Sequence, residues 1–270
     1  MSRVPDELDA MTRTIDDAAV DELGDRLYDA YRRGAPLDPA TLPDCTVADG
    51  YAIQRAVTDR RRTDEGPVVG YKVGFTSAAI QAELGVDEPA YGRVLADTVR
   101  PEGRLDADDL IDPKIEPEIA VKLSDPLDPP VTPVDALSAI AAVIPVIEVV
   151  DSRVEDWTTT AGSAVADDAL AARVVHGSRT VDPAALDLAL EGVEVRRNGG
   201  RVATGVGADV LGSPARVVAW LAETLADHGD RLDAGDLVST GSLTELIPLD
   251  AGDTVEVRFA SLGSVTVSRA

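Results

Sequence analysis

Glu116 and Glu118 stand two residues apart in Pro113-Lys114-Ile115-Glu116-Pro117-Glu118-Ile119-Ala120, a segment that continues as Val121-Lys122-Leu123. Apolar residues on both sides predict a strand, where positions i and i+2 share a face. Two carboxylates on one face repel each other, and facing inward they require a cation between them. A third carboxylate, Glu148, lies in the apolar run Ile144-Pro145-Val146-Ile147-Glu148-Val149-Val150. An ionised Glu in such a run is not expected to be buried unpaired. Three oxygen donors with no nearby Cys or His suit a hard cation, Mg²⁺ or Mn²⁺. Taken alone, the Glu-x-Glu pair also fits a solvent-facing strand. The run around Glu148 does not alternate as a solvent-facing strand should, and that favours the cation reading.

The elements that must position these residues follow from periodicity. Helices are predicted over Val20–Arg33, Asp49–Arg62, Ser77–Leu84, Val134–Ala142 and Ala215–His228, the last with Ser213 as N-cap and Pro214 in first position. Arg60-Arg61-Arg62 ends the second helix, where basic residues complement the dipole. Strands are predicted over 68–75, 115–123, 143–150, 171–175, 192–197, 201–204, 236–240, 254–259 and 264–268, with Asn198-Gly199-Gly200 as a hairpin turn. Strands and helices do not alternate regularly, so the expected class is α+β with a coiled mixed sheet. Residues 1 to about 20 read as a frayed, acidic lead-in. The expected division is a mostly helical N-terminal segment over 1–66 and a catalytic domain over 67–270.

Of the chain's 270 residues 44% are hydrophobic and only 3% aromatic, so Ala, Val, Leu and Ile must fill the core. A net charge of −24, from 49 acidic and 25 basic residues, repels nucleic acid and anionic membranes and excludes both as partners. Lys occurs at 72, 114 and 122 only, which leaves 25 − 3 = 22 Arg. This acid-rich, Lys-poor composition is that expected of a salt-adapted cytoplasmic protein. Cys45 is alone, no membrane-spanning run is present, and the start of the sequence shows no signal-peptide pattern.

Several stretches occur in one order: Gly70-Tyr71-Lys72-Val73-Gly74-Phe75-Thr76-Ser77, Glu116-Pro117-Glu118, Pro145-Val146-Ile147-Glu148, Asp151-Ser152-Arg153-Val154-Glu155-Asp156-Trp157 and Val165-Ala166-Asp167-Asp168-Ala169. Together they resemble the 2-keto-4-pentenoate hydratase / 4-oxalocrotonate decarboxylase branch of the fumarylacetoacetate hydrolase superfamily. The likeness runs from about residue 20 to the end. It implies a mixed β-roll with flanking helices, a homo-oligomer, and a divalent metal, usually Mg²⁺, on Glu116, Glu118 and Glu148. It also implies Lys72 as the acid/base residue. A Lys kept in a Gly-flanked apolar strand of so Lys-poor a chain agrees with that role, and near a cation its pKa is expected to fall.

The implied substrate is a small unsaturated 2-oxo acid, such as 2-hydroxypenta-2,4-dienoate, whose enolate the metal stabilises as a Lewis acid. The leading reading is water addition, with 4-oxalocrotonate-type decarboxylation as the alternative. Thr76, Ser77, Ser163 and Thr240 in the Ser239–Ser242 loop are candidate substrate-binding hydroxyls, with turn and cap roles as their other reading. Two departures bear on the choice. Ala90 stands where hydratases carry Asp, beside a Gly92-Arg93 of decarboxylase type, so Glu88 and Asp97 are candidate stand-in acids. Asp168 replaces the usual Asn, which acidic drift of the composition suffices to explain. A C–C hydrolase is less favoured, because His176 and His228 lie far from the carboxylate motifs in sequence. An inactive metal-binding relative is the non-enzymatic reading.

Overall fold

The computed structural model describes residues 12–270, so the first part of the expected acidic lead-in lies outside the described residues. Six α-helices are described: α1 (Asp17–Arg33), α2 (Val47–Glu65), α3 (Ala78–Leu84), α4 (Pro133–Ser138), α5 (Ala161–Ala166) and α6 (Pro214–Asp227). Thirteen strands accompany them. β1 (Val68–Gly74), β2 (Ala90–Leu95), β3 (Val99–Pro101), β5 (Lys114–Leu123), β6 (Ile140–Val150), β7 (Ala171–His176), β10 (Leu237–Ser242) and β11 (Ile247–Pro248) form the larger sheet. β4 (Gly103–Leu105), β8 (Gly192–Arg197), β9 (Gly200–Val206), β12 (Thr254–Phe259) and β13 (Gly263–Arg269) form the smaller one.

The larger sheet runs β2-β1-β10-β5-β6-β7-β3, with β11 paired to β5. It is mixed: β1/β10 and β3/β7 are parallel, and its other pairs are antiparallel. A single large core joins both sheets. Val121, Ile147 and Val238 of one sheet, Val195, Val257 and Val265 of the other, and Val217, Leu221 and Leu225 of α6 are all fully buried in it. Aliphatic residues carry the core, as the low aromatic content requires. The α+β class and the mixed, curled sheets match expectation.

Some boundaries and elements differ. The predicted helix over 134–142 ends at Ser138, because Ile140 onward pairs with β5 as a strand, in register Leu123↔Ile140 and Lys122↔Ala142. The β-branched run outweighs the helix preference of Ala141 and Ala142. β2 and α5 were not expected from periodicity. The lead-in, read as frayed to about residue 20, is already helical from Asp17, with Asp16 as the N-cap accepting from Ala19 N.

The N-terminal helices form a second, small core of Leu23, Leu27, Ile53, Val57 and Ala166. Asp49 ties the chain's beginning to it. The carboxylate accepts from the amide and hydroxyl of Thr14, from Ile15 N, and from the amide and hydroxyl of Thr46. Asp49 is fully buried. Burial alone would raise its pKa, but these donors outweigh it and hold the carboxyl at about 2. A depressed folded-state pKa contributes stability that is complete above the unfolded value near 4 and is lost as pH falls towards 2. Asp49→Ala is therefore expected to lower stability by about 2 kcal/mol at neutral pH and to flatten the acid limb of the melting profile. Thermal melts of both proteins from pH 7 to 2 check this, and a parallel offset at every pH would contradict it.

Candidate active site

Four neighbouring strands of the larger sheet, β1, β10, β5 and β6, each supply part of one cluster. Glu116 of β5 lies directly opposite Glu148 of β6, and Glu118 is two residues further along β5. One carboxylate oxygen from each of the three lies within 4.8 Å of the others. Glu118 and Glu148 are fully buried. Glu118 Oε2 accepts from the Ser239 hydroxyl and from Gly241 N, the latter at 2.9 Å. Gly241 has φ 103°, a conformation that favours glycine, and a Cβ there would fall 2.6 Å from the Thr76 hydroxyl oxygen.

Lys72 of β1 is the fourth member. Only 2% exposed, it places Nζ 3.3 Å from Glu148 Oε1 and donates to the Ala169 carbonyl at 2.9 Å. The expectation of a lowered pKa applies to a Lys beside a bound cation; the protein groups by themselves act the other way. Burial presses the ammonium's pKa down, but Glu148, Glu116 and Glu118 together lift it above the ordinary value. The carboxyls are raised too. Burial takes Glu116 to about 7 against the pull of Lys72, and it takes Glu148 well above the usual range. Glu118 is raised by the same burial, with Lys72, Ser239 and Gly241 opposing it.

The donor set fits a hard divalent cation. Among the described residues, Glu118 Oε1 and both Glu148 oxygens are buried without a hydrogen-bond partner. Buried acceptors are rarely left so, and a cation is what would satisfy three converging ones. The three predicted ligands and the predicted Lys are thus brought together.

The remaining candidates are placed differently. Thr76 is buried against Gly241, at the edge of the cluster. The Ser77 hydroxyl accepts from Ile80 N and caps α3. Ser163 sits in a capping box with Thr160 and lines a small apolar cavity with Leu23, Leu27 and Ile53, on the side of the N-terminal helices. Thr240 donates to the Ile119 carbonyl, and its neighbour Ser239 is the residue that reaches Glu118. Among the hydroxyls, then, Ser239 is the one bound to a cluster carboxylate. Strand alternation and the register shift between Ser239 and Ser242 decide this, and neither is legible without the pairing partner.

The described partners of Lys72 are Glu148 and the Ala169 carbonyl; Glu88 and Asp97 are not among them. β2 pairs Gly92 with Lys72 and Leu95 with Val68. At about 3.3 Å per residue, Asp97 lies beyond the far end of β2, more than about 10 Å along the strand. It is exposed. Glu88 is exposed just before β2, and burial, Asp87 and Asp227 raise its pKa. Ala90 is buried opposite Gly74. His228 pairs with the Tyr91 hydroxyl and packs tilted against Tyr51, and His176 Nδ1 lies 2.9 Å from the Gly177 carbonyl oxygen.

Two residues carry more than the sequence suggested. Asp168 is 1% exposed and accepts from Arg93 N and from Arg61, so acidic drift does not account for it. Arg61, read as a dipole-complementing helix end, is 2% exposed and bridges Asp168 and Glu65. Its neighbours Arg60 and Arg62 pair at the surface with Asp21, Asp25 and Asp59.

A mixed, curled sheet carrying three converging carboxylates and a buried Lys agrees with what sequence comparison finds. Residues 73–268 match the family described as fumarylacetoacetate (FAA) hydrolase, C-terminal. The chain belongs to the fumarylacetoacetate hydrolase family, in its hydratase and decarboxylase branch. The TodF product hydratase of Pseudomonas putida strain F1 is 38% identical over 254 residues, 93% of this chain and 95% of the relative. The 4-oxalocrotonate decarboxylase of Pseudomonas putida is 38% identical over 261 residues, 95% of this chain and 98% of the relative. The solved structure of 4-oxalocrotonate decarboxylase from Pseudomonas putida G7, complexed with magnesium and adipate, superimposes with a TM-score of 0.92 at 36% identity, covering 96% of this chain and all of that one.

Proposed function

We propose that this chain is a Mg²⁺-dependent lyase acting on a small unsaturated 2-oxo acid. Water addition to a 2-hydroxypenta-2,4-dienoate-like substrate is the leading reaction, and 4-oxalocrotonate-type decarboxylation is the second reading. The observation that carries the proposal is the buried Lys72 set against three converging carboxylates, two of them fully buried. Glu116, Glu118 and Glu148 would hold the cation, which when bound supplies a Lewis acid for the substrate's 2-oxygen and carboxylate. Ser239 and Gly241 N orient Glu118. Lys72 holds or delivers a proton at Nζ. Both reactions need the same electron sink, so the cluster serves either one.

The second reading has its own support. The relatives include decarboxylases at the same identity as hydratases, and the aligned structure is a decarboxylase. Ala90 offers no carboxylate, Glu88 is exposed, and Asp97 lies beyond the far end of β2. The N-terminal helices, residues 1–66 in this reading, are an accessory segment to a catalytic domain over 67–270. The acid-rich, Lys-poor composition supports a cytoplasmic enzyme adapted to salt, and the branch supports a homo-oligomer. No described helix is long and apolar enough to cross a membrane.

The test offers the Mg²⁺-loaded protein 2-hydroxypentadienoate and 4-oxalocrotonate in parallel and identifies products by NMR. A hydrated product from the dienol is the expected result. CO₂ release from 4-oxalocrotonate, with the dienol untouched, replaces hydration by decarboxylation. In the same assay Glu88→Gln and Asp97→Asn are expected to stay within about twofold of the parent, against the roughly 10²–10⁴-fold loss that removal of a general acid or base brings.

A further inference from the structure

Lys72 is held by a backbone carbonyl, and the backbone that presents it is unusual. Asp168, Ala169 and Leu170 have φ of 57°, 49° and 66°, three successive L-residues in the left-handed region without a glycine among them. Such a turn persists only where its surroundings fix it. Asp168 Oδ1 accepts from Arg93 N at 2.7 Å, and Oδ2 accepts from Arg61 Nη1 at 2.9 Å. The preceding Asp167 accepts from Arg153 N and Nε, so both acids of the turn are clamped by buried arginines. The Arg61 and Arg153 guanidiniums both lie over the Tyr31 ring, 4.1 and 4.0 Å from its centroid. Tyr31 in turn donates to the Ala171 carbonyl just past the turn. On the other side, the turn presses on β2: a Cβ on Gly92 would fall 2.3 Å from the Asp168 carbonyl oxygen. Gly92 is the residue paired with Lys72.

We propose that the Arg61–Asp168 pair is a positioning device for Lys72, locking the left-handed turn so that the Ala169 carbonyl fixes the side-chain nitrogen at the carboxylate cluster. The inference rests on the reading of Lys72 as the proton-carrying group. The acceptor's chemistry suits that role. A carboxylate partner favours the ammonium strongly over the amine. A carbonyl accepts an N–H from both, so the nitrogen keeps its place before and after the proton moves. A Lys side chain has four rotatable bonds, and without this anchor a long flexible chain would have to be ordered at each turnover. Asp168 and Arg61 touch neither the cluster carboxylates nor Lys72 through their side chains, so they act through the turn.

The test uses the Mg²⁺-loaded, full-length protein with whichever substrate it turns over, and compares Asp168→Ala, Asp168→Asn and Lys72→Ala. Asp168→Ala is expected to lower kcat about 10- to 100-fold while KM and calorimetric Mg²⁺ affinity stay within about twofold. Asp168→Asn keeps an acceptor for Arg93 N and is expected to recover at least about fivefold of that loss. If Asp168→Ala does not fold, Arg61→Lys carries the same split. It keeps a cation over Tyr31 but cannot reach Asp168 and Glu65 together. A loss confined to KM, metal affinity or melting temperature makes the pair a staple between segments and overturns the proposal. An Asn variant no better than the Ala variant also overturns it. Lys72→Ala separates the two levels: if it retains turnover, the reading of Lys72 falls; if it alone is inactive, only the positioning role falls.

Discussion

Lys72→Ala is expected to lower turnover about 10²–10⁴-fold, the range for loss of a positioned acid or base, while the protein still binds a divalent cation. The second half of this expectation has a definite sign. Lys72 Nζ lies 3.3 Å from Glu148 Oε1, and its charge competes with any cation for the same carboxylates. Removing it should leave Mg²⁺ affinity unchanged or tighten it. Calorimetry gives the affinity and ultraviolet absorbance of the dienol gives the rate. Near-normal turnover removes Lys72 from the mechanism. A variant that loses rate and metal together would show that Lys72 organises the cluster and does not act on substrate.

Glu148→Gln is expected to weaken Mg²⁺ binding by about 100-fold or more and to abolish turnover, with nearly unchanged side-chain volume. Stability adds an independent reading. A ligand at 100 times its Kd stabilises a native protein by about 2.7 kcal/mol, so Mg²⁺ should raise the parent's melting temperature and leave the variant's almost unmoved. The parent's own affinity should weaken as pH falls through about 7, where Glu116 takes up a proton and ceases to be a ligand. An equal Mg²⁺-induced shift in both proteins would place the cation elsewhere.

What could be read beforehand was what local patterns encode. Glu116 and Glu118 share a strand face whatever the strand's neighbours are, and Glu148 contradicts its own apolar run. The three therefore announced a site before any pairing was known. Lys72 was legible for the same reason, as a charge without a local excuse. Most of the long strands and helices were legible from periodicity to within a few residues. What was not legible depends on register and on contacts distant in sequence. Ser239 rather than Thr240 reaches Glu118 because β10 pairs with β5 in one register, broken just after Ser239. The strand Ala90–Leu95 carries Gly92 and Arg93, poor strand formers alone, whose reasons are the turn above Gly92 and the Gln54 and Asp230 partners of Arg93. The left-handed turn at Asp168–Leu170 has no Gly to announce it.

The Arg61–Asp168 pair also bears on how this chain can be divided. It is buried on both sides and joins positions 107 apart, one in an N-terminal helix and the other beyond the carboxylate strands. Removing Arg61 leaves buried Asp168 with the Arg93 amide, and removing Asp168 leaves buried Arg61 with Glu65, so either loss weakens the pairing of a buried charge. The family match begins at residue 73, so half of the pair lies outside it. A fragment cut at that border would keep every carboxylate of the cluster yet lose Lys72 and leave Asp168 without Arg61. The same holds for a hybrid joining this sheet to a relative's helices: positions 61 and 168 must come from one parent.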